Sequence, residues 1–300
     1  MRYALCNELF SDWSLPRACA FMAETGYAGV ELAPFTFAPD GVDRLSAADL
    51  RAVSRTIRDA GLEVVGLHWL LVGPDGLHLT SADAEVRRRT AHYLSALVDC
   101  CAALGGRTLV LGSPKQRNLD PGTPVTVGWA RAVETLAPAV EQAARRGVRW
   151  ALEPLPAVDT NFLNSLADCL HLDGLLGAGP ALGVQLDVKS LCAEADDPAA
   201  PAPALARYAA HAERFVHFHA NDRNLGAPGS GDVDFRPVFA TLAACGYDAW
   251  VSVEVFDTRA GGEVIARDSL AYLRRAAAGA RSGLARGQAP VDGQTRPEDK

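Results

Sequence analysis

The sequence lacks the features that mark membrane proteins, secreted proteins and nucleic-acid binders. None of its apolar runs approaches the ~18 residues that a membrane-spanning helix needs, and the opening segment MRYALCNELF has no basic-then-apolar leader. The formal net charge of −7 provides no basic surface for nucleic acid. We therefore expect a cytoplasmic protein with no membrane partner and no nucleic-acid partner.

The sequence also has few cysteines and no glycine-rich phosphate motif. Its seven cysteines are scattered, apart from the adjacent Cys100 and Cys101, and an odd number without paired spacing favours reduced thiols. The motif GxGxxG is absent, although an open doubly wound sheet would be expected to carry it. The first absence supports a cytoplasmic location, and the second disfavours the open sheet as the fold.

What the sequence does contain is a repeated alternation of short strand-like runs and longer amphipathic stretches. The runs are rich in valine, leucine and aromatic residues, and turn or polar residues bound them. The predicted strands cover residues 3–7, 29–33, 63–69, 107–112, 149–153, 182–187, 215–219 and 250–255. The predicted helices include residues 15–25, 47–60, 82–104, 124–146, 235–245 and 262–277.

This alternation predicts the fold class α/β and a single (β/α)8 TIM barrel. Parallel neighbours need a crossover helix, and eight such units can close on themselves without an exposed sheet edge. We expect one catalytic domain over residues 1–280, in which the Ala- and Pro-rich residues 196–205 form a loop insertion. Residues 281–300 are rich in glycine, proline and charge, and we expect them to form a disordered tail.

Four residues with metal-binding side chains end consecutive predicted strands. They follow apolar runs in WALEP, VQLDV, HFHAN and SVEVF, and they are Glu153, Asp187, His219 and Glu254. In a closed parallel barrel, the carboxyl ends of the strands carry the catalytic groups. Three carboxylates at one place repel one another unless a cation lies among them, and oxygen ligands with one imidazole suit Mn²⁺, Mg²⁺ or Co²⁺. The sequence therefore predicts one divalent metal per chain.

The longer segments around these four residues resemble a known family. They are LEPLPAVDTNFLNS (152–165), QLDVKS (185–190), HFHANDRNLGAPGSGDVDF (217–235) and VSVEVF (251–256). Over about residues 1–278 the chain resembles the sugar phosphate isomerase/epimerase family, the xylose isomerase-like TIM barrels, and within it the ketose 3-epimerase branch. The resemblance implies that Glu153, Asp187, His219 and Glu254 are the metal ligands, that the metal is Mn²⁺, and that the two glutamates are also the catalytic acid/base pair.

The chain departs from the ketose 3-epimerase pattern at positions that contact substrate in that branch. Pro156 and Ala157 stand in place of an Asn-Arg pair, Ser190 in place of a histidine and Leu225 in place of an arginine. Asp159 falls where these epimerases usually carry a glutamate that orients the first metal-binding glutamate. The resemblance therefore implies the metal site but leaves the sugar open.

Four polar residues are candidates for binding the substrate: His68, Lys115, Asp159 and Lys189. His68 ends the third strand, where it can donate to a substrate oxygen or simply bond a neighbouring loop. Lys115, together with Arg117, lies on the loop after the fourth strand and can bind a phosphate or carboxylate, or remain solvated. Lys189 can take the place of the missing histidine, or form an ion pair with a carboxylate of the metal site.

Several further residues have alternative interpretations. Glu31, at the end of the second strand, is expected to bond substrate or to fix His68. His217 is expected to be a satisfied core group one layer below His219, and Trp69 to pack away from the site. Among the cysteines only Cys6 and Cys192 lie near this rim, so a zinc–thiolate site is not expected.

The leading functional hypothesis is a divalent-metal-dependent isomerase or epimerase of a keto sugar or related polyol ketone, in carbohydrate metabolism. One glutamate removes a carbon-bound proton to give an enediolate, which the metal stabilises, and the other glutamate returns a proton from the opposite face. The alternative is a metal-dependent lyase or dehydratase, similar to inosose dehydratase, in which the same abstraction ends in loss of a leaving group. A nuclease similar to endonuclease IV and a non-catalytic binding barrel fit less well. The sequence leaves open whether the chain forms a homo-oligomer.

Overall fold

The computed structural model describes residues 1–287, with side chains through residue 280. Eight parallel strands close into a barrel in the order β1 to β8, which confirms the predicted fold. The strands are β1 Arg2–Cys6, β2 Gly29–Leu32, β3 Glu63–Leu67, β4 Thr108–Leu111, β5 Arg149–Leu152, β6 Leu182–Asp187, β7 Phe215–Ala220 and β8 Trp250–Val253. The α-helices are α1 Leu15–Thr25, α2 Ala47–Asp59, α3 Ala84–Leu104, α4 Val125–Arg146, α5 Leu166–Leu176, α6 Val188–Glu194, α7 Ala202–Ala206, α8 Phe235–Ala244 and α9 Gly262–Gly287.

The strands are nearly continuous apolar runs because helices and the barrel interior bury both of their faces. Every residue of β2, β4, β6 and β7 is buried. Strands β3 and β4 lie so close together that a Cβ atom on Gly66 would come within 2.0 Å of the Thr108 carbonyl oxygen. Helix α2 begins with a capping box in which Ser46 and Asp49 satisfy each other's backbone N–H groups. This packing makes a rigid frame on which the strand ends hold their polar side chains.

Two boundaries differ from the sequence-based expectation. The Ala- and Pro-rich residues 196–205, predicted as a loop, contain the start of the short helix α7. Helix α9 continues to Gly287, past the predicted domain boundary at residue 280. Residues 288–300 lie outside the described part, so the disordered tail remains a prediction there. Among the described helices, none is both long and apolar enough to cross a membrane.

Candidate active site

The structure brings the four predicted metal-binding residues together at the carboxyl end of the barrel. Glu153 follows β5, Asp187 ends β6, His219 lies in β7 and Glu254 follows β8. Each offers one ligand atom, these four atoms lie within 4.8 Å of one another, and all four residues are buried. The floor of the site is the name that we give to these four residues together with the side chains that contact them from the barrel interior.

Burial and mutual repulsion set the charge of Glu153 and Asp187. Removal from water, followed by the charges of Glu254 and Asp187, raises the pKa of Glu153 to about 8. Burial and then the charge of Glu254 raise the pKa of Asp187 as well. No side chain in the described part donates a hydrogen bond to the Glu153 carboxylate. Without a cation, therefore, this cluster holds its negative charge at a cost.

Glu254 is held more firmly than Glu153. Trp69 Nε1 donates to Glu254 Oε1 at 2.9 Å, and His219 Nδ1 lies 3.1 Å from Glu254 Oε2. His68 Nδ1 lies 3.5 Å from Oε1. Burial acts to raise the pKa of Glu254, but His219 and then His68 outweigh it and hold the pKa well below its usual value. The two glutamates of the floor therefore have opposite electrostatic environments.

Asp187 is oriented by a residue that the sequence analysis did not single out. Asn221 Nδ2 donates to Asp187 Oδ2 at 2.6 Å, and the same amide accepts a bond from the Lys189 backbone N–H at 2.9 Å. Ser190 N donates to the other Asp187 oxygen at 3.0 Å, while Ser190 Oγ donates to the Pro154 carbonyl. The available signal was the position of Asn221, two residues after His219 at the end of β7.

A buried carboxylate below the floor fixes the histidine of the cluster. Glu31 is fully buried, and its Oε2 lies 2.7 Å from His217 Nε2 while its Oε1 lies 3.1 Å from His219 Nε2. Such a carboxylate–histidine pair sets the tautomer and the ring orientation of a metal ligand. The expectation that Glu31 fixes His68 or bonds substrate is wrong, because its side chain points into the barrel towards β7. His217 is the buried, partnered group that the sequence predicted.

His68 lies at the edge of the floor, beside Glu8 and Cys6. Its Nε2 is 3.0 Å from Glu8 Oε2, but neither ring nitrogen makes a hydrogen bond of good geometry with the described residues. Glu8 lies in the turn after β1, and the sequence did not predict that it belongs to the site. The feature that could have indicated it is a carboxylate directly after a strand end. Burial raises the pKa of the Cys6 thiol to about 12, so Cys6 remains protonated beside His68.

The loops after β4 and β5 are joined beneath Glu153. Arg117 is buried and donates from Nη1 to the Glu153 carbonyl oxygen at 2.8 Å and from Nη2 to the Leu163 carbonyl oxygen at 3.0 Å. Both interpretations of Arg117, anion binding and solvation at the rim, are therefore wrong, because its buried guanidinium donates to backbone carbonyls. A Cβ atom on Gly112 would lie 2.2 Å from Glu153 Oε2, so glycine at this position makes room for the carboxylate.

A cavity of about 940 Å³ opens above the floor and contains the predicted substrate-binding residues. His68, Glu153 and Glu254 line it at the floor, and Lys115, Asp159 and Lys189 line it on the segments that follow β4, β5 and β6. Lys189 Nζ donates to Asp159 Oδ2 at 2.8 Å, so Lys189 pairs with Asp159 rather than with a metal-site carboxylate. Lys115 is exposed, and anion binding by it remains a prediction.

Trp69 faces this cavity, contrary to the expectation that it packs elsewhere. Its φ of 53° is in the left-handed region, so the chain turns directly after β3 and brings the indole towards Glu254. Four non-glycine residues in the described part have such angles, and three of them, Trp69, Ser113 and Leu225, line the cavity. Strained backbone of this kind persists where a site requires it.

The floor fits a divalent cation by the chemistry of its donors. Three carboxylates and one imidazole are oxygen and nitrogen ligands of the type that Mn²⁺, Mg²⁺ and Co²⁺ accept. The carboxylates repel one another, while Glu31 and Asn221 orient His219 and Asp187 from outside the cluster. A cation would therefore relieve a conflict that the chain's own residues leave in place.

Known proteins similar to the chain are consistent with this architecture. A family model described as xylose isomerase-like TIM barrel matches residues 19–276. The chain is 29% identical to L-ribulose 3-epimerase of Mesorhizobium japonicum over 240 residues, which cover 79% of this chain and 75% of that protein. A solved structure of L-ribulose 3-epimerase has a TM-score of 0.81 at 23% identity and covers 97% of this chain and 99% of the other. A crystal structure of D-psicose 3-epimerase in the presence of D-fructose has a TM-score of 0.76 at 20% identity, over 92% and 99% of the chains.

Proposed function

Because the chain belongs to the xylose isomerase-like TIM barrel family, we propose that it is a metal-dependent enzyme that epimerises or isomerises a keto sugar or a related polyol ketone. The observation that carries this proposal is the pair of buried glutamates, Glu153 and Glu254, on one cluster of potential metal ligands. Relatives named as epimerases support the same reaction class. The lyase alternative is not favoured, since these relatives catalyse epimerisation.

Glu153, Asp187, His219 and Glu254 would hold the cation. When bound, a divalent cation supplies Lewis-acid stabilisation of negative charge on substrate oxygens. Mn²⁺ is the ion we propose, because it accepts mixed carboxylate and imidazole ligands and matches the resemblance to the ketose 3-epimerases. Glu31 keeps the His219 ring in place, and Asn221 does the same for the Asp187 carboxylate.

The two glutamates exchange a proton with the substrate carbon next to the carbonyl. Glu254, whose ionised form the Trp69 N–H group and the adjacent His219 ring favour, accepts the proton from that carbon. Glu153, whose pKa is raised to about 8, returns a proton to the opposite face. A pair of carboxyl groups with such divergent environments is the usual arrangement for general acid/base work, and the roles reverse in the reverse reaction.

A proton-exchange screen tests this function directly. The purified protein, loaded with Mg²⁺ to avoid paramagnetic broadening, is incubated in D₂O with a panel of ketoses and other keto sugars, and NMR follows deuterium uptake next to the carbonyl. We expect uptake at the carbon that changes configuration, and none after exhaustive chelation. Asp187→Asn, which keeps the size of the side chain, is the matched control and should also be inactive. Full exchange in the chelated protein would refute the metal-dependent mechanism.

A further inference from the structure

The part of the cavity beyond the floor, which we call its outer part, differs in chemistry from the floor. The whole cavity has a volume of about 940 Å³, at the upper end of the range for sites that hold drug-sized ligands. Such ligands are much larger than a free ketose. Resting on the proposed function, we propose that the substrate is a keto sugar that carries an apolar substituent, an aromatic or branched aliphatic group bound by the outer part of the cavity. The sugar then lies over the floor and the substituent lies beyond it.

Exposed hydrophobic side chains are concentrated at this opening. The described part of the chain has eight large hydrophobic side chains that are exposed, and four of them line the cavity. We call these four the mouth: Val72 at 38% exposure, Val158 at 92%, Leu225 at 42% and Phe256 at 39%. They come from the loops after β3, β5, β7 and β8. Single exposed apolar residues are ordinary, but a group that surrounds one opening marks a binding surface.

Leu225 combines an unfavourable backbone conformation with an exposed apolar side chain, which indicates that the side chain has a role. Its φ of 67° is a conformation that favours glycine or asparagine, and its side chain is nevertheless apolar and exposed. The Leu225 carbonyl oxygen accepts hydrogen bonds from the backbone N–H groups of Phe256 at 3.0 Å and Asp257 at 2.8 Å. These bonds hold the loops after β7 and β8 together, so Leu225 and Phe256 lie on adjacent segments of the mouth.

Trp69 connects the mouth to the reacting centre. Its indole N–H bonds Glu254, and its ring lies 6.2 Å from the Phe256 ring, centroid to centroid. A substrate carbon beside Glu254 is therefore adjacent to an aromatic surface that extends outward to Phe256. Two of the charged side chains near this surface are paired, Lys189 with Asp159 and Arg223 with Asp232. Hydroxyl groups placed against Val158, Leu225 and Phe256 would lose water without gaining partners there, whereas an apolar group would gain burial.

A matched pair of substrates tests this inference. The methyl and phenyl β-glycosides of one 3-keto hexose differ only in the substituent, and both the rate of deuterium exchange and the dissociation constant are measured for each. We expect the phenyl compound to bind at least about tenfold more tightly and to show a correspondingly higher kcat/KM, which is the scale of burying one aromatic ring. Equal dissociation constants for the two compounds would overturn the proposal.

The same experiment separates this inference from the proposed function. Tighter binding of the phenyl compound without exchange for any keto sugar would support the substituent and refute the epimerase. Exchange at equal rates with equal binding would support the epimerase and refute the substituent. Equal binding without exchange would refute both.

Variants of the mouth locate the effect. The double variant Val158→Ser with Leu225→Asn removes apolar surface, and asparagine tolerates the left-handed backbone at that position. We expect it to lower the phenyl-to-methyl ratio towards one. Val264→Ser replaces an exposed valine on α9, outside the cavity, and should leave the ratio at the wild-type value. A double variant that keeps the wild-type ratio would show that the mouth does not bind the substituent.

Discussion

The floor and the mouth of the cavity are built on opposite principles. On the floor, buried polar groups support one another: Glu31 orients His219, Asn221 orients Asp187, and Trp69 bonds Glu254. In the mouth, apolar side chains such as Val158 and Leu225 face solvent on loops. A preorganised polar floor serves a reaction that many substrates share, whereas an apolar mouth distinguishes among substrates. The predictions below test this division, and changes on the floor should have the larger effects.

The largest effect is expected for Asp187→Asn. The amide keeps the size of the carboxylate but removes one negative ligand, so we expect cation affinity to fall by more than about 100-fold, beyond the loss typical of outer-shell changes. Activity should disappear with the cation. The increase in melting temperature on adding Mn²⁺ should vanish as well, because the cation no longer binds the folded variant. A wild-type increase would contradict the assignment of Asp187 as a ligand.

The two glutamates should respond differently to the same change. Glu153→Gln and Glu254→Gln each remove a proton-transfer group, and we expect kcat to fall by about 10²- to 10⁴-fold in both. Glu254→Gln should weaken cation binding more than Glu153→Gln does. Because Trp69 donates to the oxygen at this position, the amide N–H of the new glutamine would point at His219 and compete with the cation for its ring nitrogen, whereas no side-chain bond fixes residue 153. Isothermal titration with Mn²⁺ and single-turnover rates separate the two effects. Near-normal turnover in a metal-loaded variant would remove that glutamate from the mechanism.

The barrel and the meeting of Glu153, Asp187, His219 and Glu254 at one end of it were predictable from the sequence for one reason. Parallel strands buried on both faces are continuous apolar runs, so a Glu, Asp or His at the end of such a run is conspicuous. Glu153, Asp187 and Glu254 each break an apolar run where the strand ends. The period of the pattern and the closure of the barrel together determine where these side chains meet.

The supporting contacts were not predictable, because they depend on side-chain direction and on loop conformation. Glu31 was recognised at a strand end, but the sequence does not tell which of the neighbouring histidines it reaches across the barrel. Trp69 was assigned to the wrong side because its positive φ reverses the alternation expected of a strand. Arg117 has the sequence signature of a solvated rim residue, yet the loops after β4 and β5 close over it.

Glu31→Gln tests whether the lower support of the floor matters for the cation. Glutamine can accept one imidazole N–H with its oxygen but presents its own N–H groups to the other, so His217 and His219 cannot both be satisfied. We expect Mn²⁺ affinity to fall by about 10- to 100-fold, the usual cost of losing an outer-shell partner. The ¹⁵N shifts of the His219 ring should report a changed tautomer. A changed tautomer with unchanged cation affinity would limit Glu31 to a structural role.

The smallest effect is expected at the edge of the mouth, for Lys189→Met. Lys189 Nζ is bonded to Asp159 and lies 5.0 Å from the Phe256 ring centroid, and the side chains of Lys189 and Asp159 are 18% and 33% exposed. The pair is only partly buried, so water can take the place of either lost partner, and we expect KM to rise by less than about tenfold while kcat and cation affinity stay close to wild type.

Asp159→Asn and the double variant complete a cycle that separates the two roles of Lys189. If Lys189 only pairs with Asp159, each single variant should cost the same and the double variant no more. If Lys189 also donates to a substrate oxygen, Lys189→Met should raise KM more than Asp159→Asn does, because the latter leaves the ammonium in the cavity. We expect the second pattern, since Lys189 lines the cavity beside the floor. If Lys189→Met lowered kcat as much as is predicted for Glu153→Gln, Lys189 would belong to the catalytic groups. The proposed division of roles between floor and mouth would then be wrong.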